Sequence, residues 1–370
     1  MHLELISVEF IFAPTSETRG MGLGIGILIP VTHKENAGRI RCTGYSGPGS
    51  RTADQLTLLP VRLGHARPRG RIIKGARQGQ LPRKRMNEND VNEFEPGDLE
   101  FTPKEIDAPL SQDTPRYWFD NHPYKTHFFN ALSTSFPVGE RFFIRSVRHY
   151  ESRITDPKLK NQVLQFVGQE GRHRVEHNHH IELLLQQGYG GIRVFERMVQ
   201  KLLDFLNKHF PLYSLAATVS VEHLTAIMAD QLLRHPERWI SPMHPDMRLL
   251  WQWHAVEETE HKAVAFDVYQ QVFGSYYLRI FAMILESSGF LLDILARTIY
   301  FLWKDKKLFS IRLWVQGIAF VWGRKGVFGS VTIEYFKFFL PGFHPWKNNN
   351  YALIQQFLAD YQKQNDAKEH

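Results

Sequence analysis

A helix that carries charged residues on its core-facing stripe leaves a chain few ways to fold. The segment GQEGRHRVEHNHH, residues 168–180, places four histidines and two glutamates within a helical pattern. At about 100° per residue, the apolar stripe of this helix consists of Val163, Phe166, Val167, Ile181, Leu184 and Leu185. Glu170, His173 and His177 fall within that stripe, whereas Glu176 and His179 project from the other side and are expected to be solvated. Because an unpaired buried carboxylate costs several kcal/mol, the inward groups need a cation or hydrogen-bond partners.

A later helix repeats the arrangement, and two further helices each add an inward carboxylate. His254, Glu258 and His261 interrupt an apolar stripe formed by Trp251, Ala265, Val268, Tyr269 and Val272. Glu222 lies in line with Leu215, Thr218, Ala226, Ala229 and Leu233. Glu140 lies in line with Phe136, Phe143, Ile144 and Val147. Four helices therefore each aim at least one carboxylate at a common interior.

This pattern of donors predicts a dinuclear metal site. One Glu from each of two helices, with one Glu-x-x-His from each of two others, is the ligand set of ferritin-like dinuclear carboxylate proteins. Four carboxylates offset the charge of two divalent cations, and mixed oxygen and nitrogen donors suit iron, with manganese or zinc as alternatives. His254 would be an additional imidazole ligand, and His177 either another ligand or a hydrogen-bond partner of one. Asp230, two turns after Glu222, is a candidate to orient a ligand histidine or to form a surface salt bridge.

The helical pattern from about residue 110 onward predicts an all-α protein. The four inward-facing helices are expected at about residues 137–153, 157–187, 212–235 and 245–274. Pro137, Pro157 and Pro245 suit first helical turns, where a missing N–H sacrifices no intrahelical bond. Further helical stretches are expected at about 192–207, 276–304 and 308–337. The predicted architecture is a ferritin-like four-helix bundle with additional C-terminal helices, within a metal-binding domain of residues 86–370.

The N-terminal segment, residues 1–85, differs from the rest of the chain. It holds 14 Lys and Arg against 5 Asp and Glu, so the net charge of +7 belongs to this segment alone. Its composition favours a basic, Gly- and Arg-rich extension that is disordered or lies upstream of a true start at Met86, rather than a nucleic-acid-binding arm. Its GxGxGxG spacing does not match the GxGxxG of a dinucleotide-binding turn. The acidic start argues against a signal peptide, and one cysteine, Cys42, suggests a reducing compartment.

Several motifs resemble the bacterial family of predicted metal-dependent hydrolases over roughly residues 100–350. They are FPVGERFFIRSVRHY, QEGRHRVEHNHH, VEHLTAIMADQLL, HAVEETEH and PGFHPW. The His-x-x-x-Glu-x-x-His spacing at residues 254, 258 and 261 is also similar to that of di-iron N-oxygenases. The resemblance implies metal-ligand roles for Glu140, Glu170, His173, Glu222, His254, Glu258 and His261. It implies no catalytic side chain beyond these ligands, and His344 of the FHPW segment is expected to be structural.

Two enzyme classes and one non-enzymatic class are compatible with such a site. A di-iron centre that uses O2 to oxidise a small apolar or amine-containing substrate is favoured, because glutamate-rich bundle sites suit redox-active iron. It would need an electron donor. The alternative is a hydrolase, in which two metals activate a water. A metal-storage or structural bundle is disfavoured, since an aromatic-rich surrounding suits an organic, apolar or amphipathic ligand.

The segment at residues 276–303 is strongly apolar, but Arg279, Glu286 and Asp293 recur every seven residues on one stripe. Those charges argue against a membrane-spanning helix. A helix packed on the bundle is favoured, and a peripheral membrane contact is the alternative. The protein is therefore expected to be cytoplasmic or membrane-associated, and a homodimer is compatible with the pattern.

Overall fold

The structure is a computed structural model that describes residue 101, residue 108 and residues 110–366. The prediction for residues 1–85 lies outside the described residues. Within the described part the secondary structure is helical, with one isolated bridge between Phe119 and Met243 and no strands. The all-α prediction is therefore confirmed, while the ferritin-like arrangement stays a prediction.

Eleven α-helices follow one another along the described part of the chain. They are α1 (Pro123–Arg148), α2 (Pro157–Gln186), α3 (Ile192–His209), α4 (Pro211–Arg234), α5 (Pro236–Trp239), α6 (Pro245–His261), α7 (Val264–Val272), α8 (Tyr276–Lys304), α9 (Ile311–Trp322), α10 (Val327–Lys337) and α11 (Tyr351–Asp366). The helices that supply the candidate ligands are α1, α2, α4 and α6.

The start of α1 differs from the prediction. The helix begins at Pro123, with His122 as its N-cap, and Pro137 lies in its interior. An internal proline removes one intrahelical hydrogen bond and crowds the carbonyls of the preceding turn. Buried Arg297 of α8 donates to the carbonyl oxygen of Thr134, three residues before Pro137, at 3.2 Å. This tertiary donor to the disturbed turn helps the helix to continue through the proline.

The other predicted boundaries agree more closely with the structure, except at two breaks. Asp156 caps α2, because its side chain accepts a hydrogen bond from the backbone N–H of Lys158 at 2.9 Å. The helix predicted at 245–274 is divided into α6 and α7 immediately after His261. At this break Lys262 is buried, and its Nζ donates to the carbonyl of Asn348 at 2.7 Å and to Asn350 Oδ1 at 2.6 Å. The predicted stretch at 308–337 is similarly divided into α9 and α10.

Two apolar clusters lie above and below the candidate ligands along the helix axes. One cluster includes Phe136, Ile181, Met228 and Ala255, and the other includes Phe142, Phe166, Val219 and Ala263. On α1, α2 and α4, and between α6 and Ala263 just after it, the inward carboxylates therefore lie between residues of the two clusters. The packing of both clusters fixes the four helices on either side of the polar layer.

One described helix, α4, is long and apolar enough to cross a membrane by length and composition. However, 83% of its most apolar window is buried inside the protein. Its apolarity is thus that of a core helix.

Candidate metal centre

Seven buried side chains from four helices converge in the polar layer between the apolar clusters. None of them is more than 5% exposed. They are Glu140 from α1, Glu170 and His173 from α2, Glu222 from α4, and His254, Glu258 and His261 from α6. The structure thus brings together all seven residues that were predicted as metal ligands. Their roles as metal ligands stay a prediction.

One group of donors surrounds the imidazole of His261. Its Nε2 atom lies 3.1 Å from Glu170 Oε1, 3.4 Å from Glu222 Oε2 and 3.7 Å from Glu258 Oε2. Ligand atoms of Glu170, Glu222 and His261 all lie within 4.8 Å of one another. Such a cluster of two carboxylates and one imidazole can hold a divalent cation.

A second group of donors lies beside the first and shares residues with it. Glu258 Oε1 lies 3.3 Å from His254 Nε2 and 3.7 Å from His173 Nδ1. Ligand atoms of Glu140 and Glu170 lie within 4.8 Å of one another and of His173. Glu170 and Glu258, the two carboxylates of the Glu-x-x-His pairs, therefore face both groups. This is the arrangement that two neighbouring cations would require.

The buried carboxylates are electrostatically unbalanced without a cation. Burial raises the pKa of Glu170 to about 8 and the pKa of Glu222 to about 7, against an ordinary 4.5. Burial, together with the neighbouring Glu170 and Glu258, raises the pKa of Glu140 well above its usual value. Neither oxygen of Glu140 has a hydrogen-bond partner within the described part of the chain. Orphaned oxygens in a buried cluster of mixed oxygen and nitrogen donors fit a site for metal cations.

His261 is held in a defined orientation by a side-chain amide. Its Nδ1 lies 2.9 Å from Gln169 Oε1, and Gln169 Nε2 donates to Glu260 Oε2 at 2.7 Å. Because the amide oxygen can only accept, Nδ1 carries the hydrogen and Nε2 is directed at the carboxylates. Burial opposes protonation of this imidazole, but Glu222 and Glu170 outweigh burial and raise the pKa of His261 well above 6.5. A metal at this position would displace that proton.

Glu258 and His173 also have supporting partners. Thr225 Oγ1 donates to Glu258 Oε2 at 2.6 Å. Burial opposes ionisation of Glu258, but the hydrogen bond from His261 and the nearby imidazoles hold its pKa down at about 2. His173 Nε2 lies 3.2 Å from Glu257 Oε2, so its Nδ1 faces the carboxylates of the centre. The sequence reasoning missed Thr225 and Glu257.

A chain of hydrogen bonds leads from His254 away from the centre. His254 Nδ1 lies 3.0 Å from His177 Nε2, His177 Nδ1 lies 2.8 Å from Ser133 Oγ, and Ser133 Oγ lies 2.7 Å from His180 Nδ1. Burial lowers the pKa of His254 and of His180 to about 3, so these imidazoles are neutral. Both ring nitrogens of His177 already have partners, which favours support of His254 over direct metal binding. His180 lies on the same stripe as His173, seven residues earlier, but the sequence reasoning did not single it out, and Ser133 lies before the predicted start of the first helix.

Asp230 and the FHPW segment lie at a neighbouring network rather than in the centre. Asp230 accepts hydrogen bonds from Arg234 Nε and Asn350 Nδ2, each at 2.8 Å, instead of contacting a candidate ligand histidine. His344 Nε2 lies 3.0 Å from Asp267 Oδ1, consistent with the structural role expected for it. The ring of Trp346 lies 3.9 Å from Lys262 Nζ. This segment therefore holds Lys262 at the break that follows His261.

An apolar cavity of about 40 Å³ touches the centre on the side of His254 and Thr225. Its walls come from α1, α4, α5, α6 and α10 and include Phe136, Met228, Trp239 and Trp251. The ring of Phe136 stacks on that of His254, with centroids 4.8 Å apart. The accessible face of the centre is thus lined by aromatic and aliphatic groups.

Comparison with known proteins agrees with this donor set. The family model described as "Predicted metal-dependent hydrolase" matches residues 102–349, about two thirds of the 370-residue chain. No curated protein matches the chain, and no solved structure matches it. The matched range includes every candidate ligand on α1, α2, α4 and α6. The chain belongs to the family of predicted metal-dependent hydrolases.

Proposed function

We propose that the protein is an enzyme with a dinuclear metal centre. Glu170, Glu222 and His261 would hold one ion, while Glu140, His173 and His254 would hold the other. Glu258 and Glu170 face both groups and would be shared. The orphaned oxygens of Glu140 are the main support for this proposal, because a buried carboxylate without hydrogen bonds needs a cation nearby.

We propose di-iron oxidation of a small apolar substrate as the reaction. When bound, a pair of ferrous ions supplies electrons that reduce O2, whereas redox-inert divalent ions would instead acidify water for hydrolysis. The observation that carries the oxidative assignment is the apolar lining of the cavity at His254, since Phe136 and Trp251 offer contacts to a hydrocarbon but little recognition of a polar ester or phosphoryl group. At about 40 Å³ the cavity must widen to admit a substrate. Repeated oxidation would also require an electron donor.

The side chains of the protein would exclude water and define the direction of proton movement. The walls of the cavity keep bulk water from the substrate side of His254. For His254 to present an unprotonated Nε2, its Nδ1 must donate to His177, which in turn donates to Ser133. The opposite orientation of this chain would place the hydrogen on His254 Nε2, so metal binding by that atom would fix the chain in one direction.

Hydrolysis is the second candidate, and the family description favours it. The same ligands could hold zinc or manganese, and the pair of metals would then activate a water. The substrate would still have to fit the apolar cavity, so small apolar esters or amides are the matching class.

Anaerobic loading of the metal-free full-length chain with Fe(II) tests the proposal. We expect two irons per chain by elemental analysis and a rapid, coupled diferric Mössbauer signal after O2 is added. Two bound metals that are inert to O2, with turnover of apolar esters by the zinc or manganese form, would establish the hydrolase instead. Failure to bind two metals in any of these forms would refute the dinuclear centre.

A further inference from the structure

Helix α8 is amphipathic in the reverse of the usual sense. An apolar stripe runs along it, with spacings of three, four or eight residues that keep its members within a sector of about 100° of the helix: Tyr277, Phe281, Ile284, Leu292, Leu295, Ile299 and Trp303. All of them are exposed; Tyr277 is 83% and Leu292 67% exposed. The helix spans 29 residues, so this apolar stripe is about 40 Å long at 1.5 Å per residue.

The charged residues of α8 face the protein instead. Arg279 and Arg297 are buried, and they donate to the carbonyl oxygens of Phe338 and Thr134. Asp293 pairs with Arg297 at 2.7 Å, and Glu286 accepts a hydrogen bond from Tyr213. A water-exposed helix normally shows the opposite distribution. The outward face of α8 is therefore suited to an apolar environment.

The exposed apolar surface continues onto α9 and α10. Phe309, just before α9, is 92% exposed, and Ile311, Val315, Ile318, Trp322, Ile333 and Phe336 are also exposed. A cavity of about 260 Å³ lies between α8 and α10, lined by Phe290 of α8 and by the exposed residues Trp322 and Phe336. We call the exposed apolar residues of 276–340 the apolar face. Exposed patches of this extent mark interaction sites.

The charges around the apolar face are positive. Residues 306–333 contain Lys306, Lys307, Arg312, Arg324 and Lys325 but no Asp or Glu. None of these five forms an ion pair with a carboxylate within the described part of the chain. The four acidic residues between 276 and 340 are all engaged by protein groups, namely Glu286, Asp293, Asp305 and Glu334.

We propose that the apolar face docks on the surface of an anionic lipid bilayer. Exposed aliphatic side chains would enter the acyl boundary, while Tyr277, Trp303 and Trp322 suit the headgroup level and the lysines and arginines contact anionic lipid. Only α4 meets the length and apolarity of a spanning helix among the described residues, and it is largely buried, so α8 lies on the bilayer rather than across it. This inference does not rest on the proposed reaction or on metal binding.

Vesicle sedimentation of the full-length chain tests this docking. The probes are vesicles of phosphatidylcholine alone and of an equal mixture with phosphatidylglycerol. We expect binding mainly to the anionic vesicles and weaker binding as salt rises. Arg324→Gln/Lys325→Gln should weaken that binding about 25-fold, about fivefold per charge. Equal binding to both vesicle types, or to neither, would overturn the proposal.

Matched variants separate the apolar face from general surface effects. Leu292→Ser/Phe309→Ser, both at exposed positions, should reduce binding more than tenfold, while Leu164→Ser/Val175→Ser, also exposed but on α2, should not. Arg153→Gln/Lys160→Gln removes two exposed charges outside the face and should also leave binding unchanged. Equal losses in the control variants would refute the assignment. A dimer in analytical ultracentrifugation that Leu292→Ser/Phe309→Ser dissociates, without vesicle binding, would instead make this face an interface between copies.

Discussion

Replacement of Glu170 by Gln should stabilise the metal-free protein and weaken the metal-loaded protein. Gln has the shape of a protonated Glu but cannot ionise, so the change removes the ionisable group without opening a cavity. Burial raises the pKa of Glu170 from 4.5 to about 8 in the folded state. At pH 7 the folded protein therefore holds a proton on Glu170 that the unfolded chain releases, and wild-type stability falls as pH rises between these two pKa values.

This pKa difference gives the size of the expected effect. At pH 7 the raised pKa of Glu170 lowers the free energy of unfolding by about 3 kcal/mol, and at pH 5 by about 1 kcal/mol. Glu170→Gln should recover up to these amounts in urea unfolding with EDTA present. With metal at a thousandfold excess over Kd, a bound ion stabilises the wild type by about 4 kcal/mol. The variant should lose nearly all of that gain, so its advantage of about 3 kcal/mol without metal becomes a deficit of about 1 kcal/mol with metal.

The matched control is Glu176→Gln on the same helix. Glu176 contacts exposed His179 at 3.5 Å and lies outside the cluster. Because its side chain is only 12% exposed, the substitution can change the free energy of unfolding, but we expect the same change with and without metal. The reasoning would be refuted if Glu170→Gln destabilised the metal-free protein at pH 7, or if it bound as much metal as the wild type.

Three other changes test separate parts of the centre. Glu258→Ala should reduce bound metal from two ions to at most one per chain by elemental analysis, whereas Glu176→Ala should retain two. Ser133→Ala should lower metal affinity about tenfold by loosening the support of His254, while the neighbouring Ser135→Ala, whose hydroxyl bonds only the carbonyl of Leu132, should not. Metal affinity should fall by well over tenfold from pH 8 to pH 6, because Glu222, with a pKa of about 7, and Glu170, with a pKa of about 8, both regain protons; a chelator competition that shows no pH dependence would contradict this.

The sequence predicted the candidate ligands because each lies on a regular stripe. Glu140 and Glu222 were identified only from their phase on α1 and α4, and both are buried beside the two Glu-x-x-His pairs. Helical phase is set by local geometry, so it can be determined from the sequence without knowing how the helices pack. The boundaries of α2, α4 and α8 could also be predicted from the local sequence, since proline and capping residues mark them.

The supporting residues could not be predicted in this way because α6 is buried on all sides around the centre. Residues 253–261 are all buried. The phase argument assumes that one side of a helix faces solvent, so it left Glu257 and Glu260 without a role. In the structure these residues contact His173 and Gln169. The internal Pro137 was missed for a related reason, because the partner of the turn before it, Arg297, is distant in sequence.

Helix α8 shows that a pattern of charges in the sequence does not determine which side of a helix faces the protein. The recurrence of Arg279, Glu286 and Asp293 predicted a helix that does not span a membrane, and it left open which side of the helix these charges occupy. The structure places them toward α1, α4 and the end of α10. A stripe of charges identifies amphipathicity, but only tertiary contacts determine which stripe is outside.

Charge balance favours two ions over one in the centre. The cluster contains four carboxylates that face one another, and full ionisation would give a charge of about −4 in a buried layer. One divalent ion together with a protonated His261 would leave the layer negative, and protonated His261 could not bind metal through Nε2. Two divalent ions would neutralise the four carboxylates and would leave His261 unprotonated and able to bind metal. Occupation of the first position should therefore leave a residual negative charge that favours the second ion, and a calorimetric titration should reach two ions without a stable one-metal plateau.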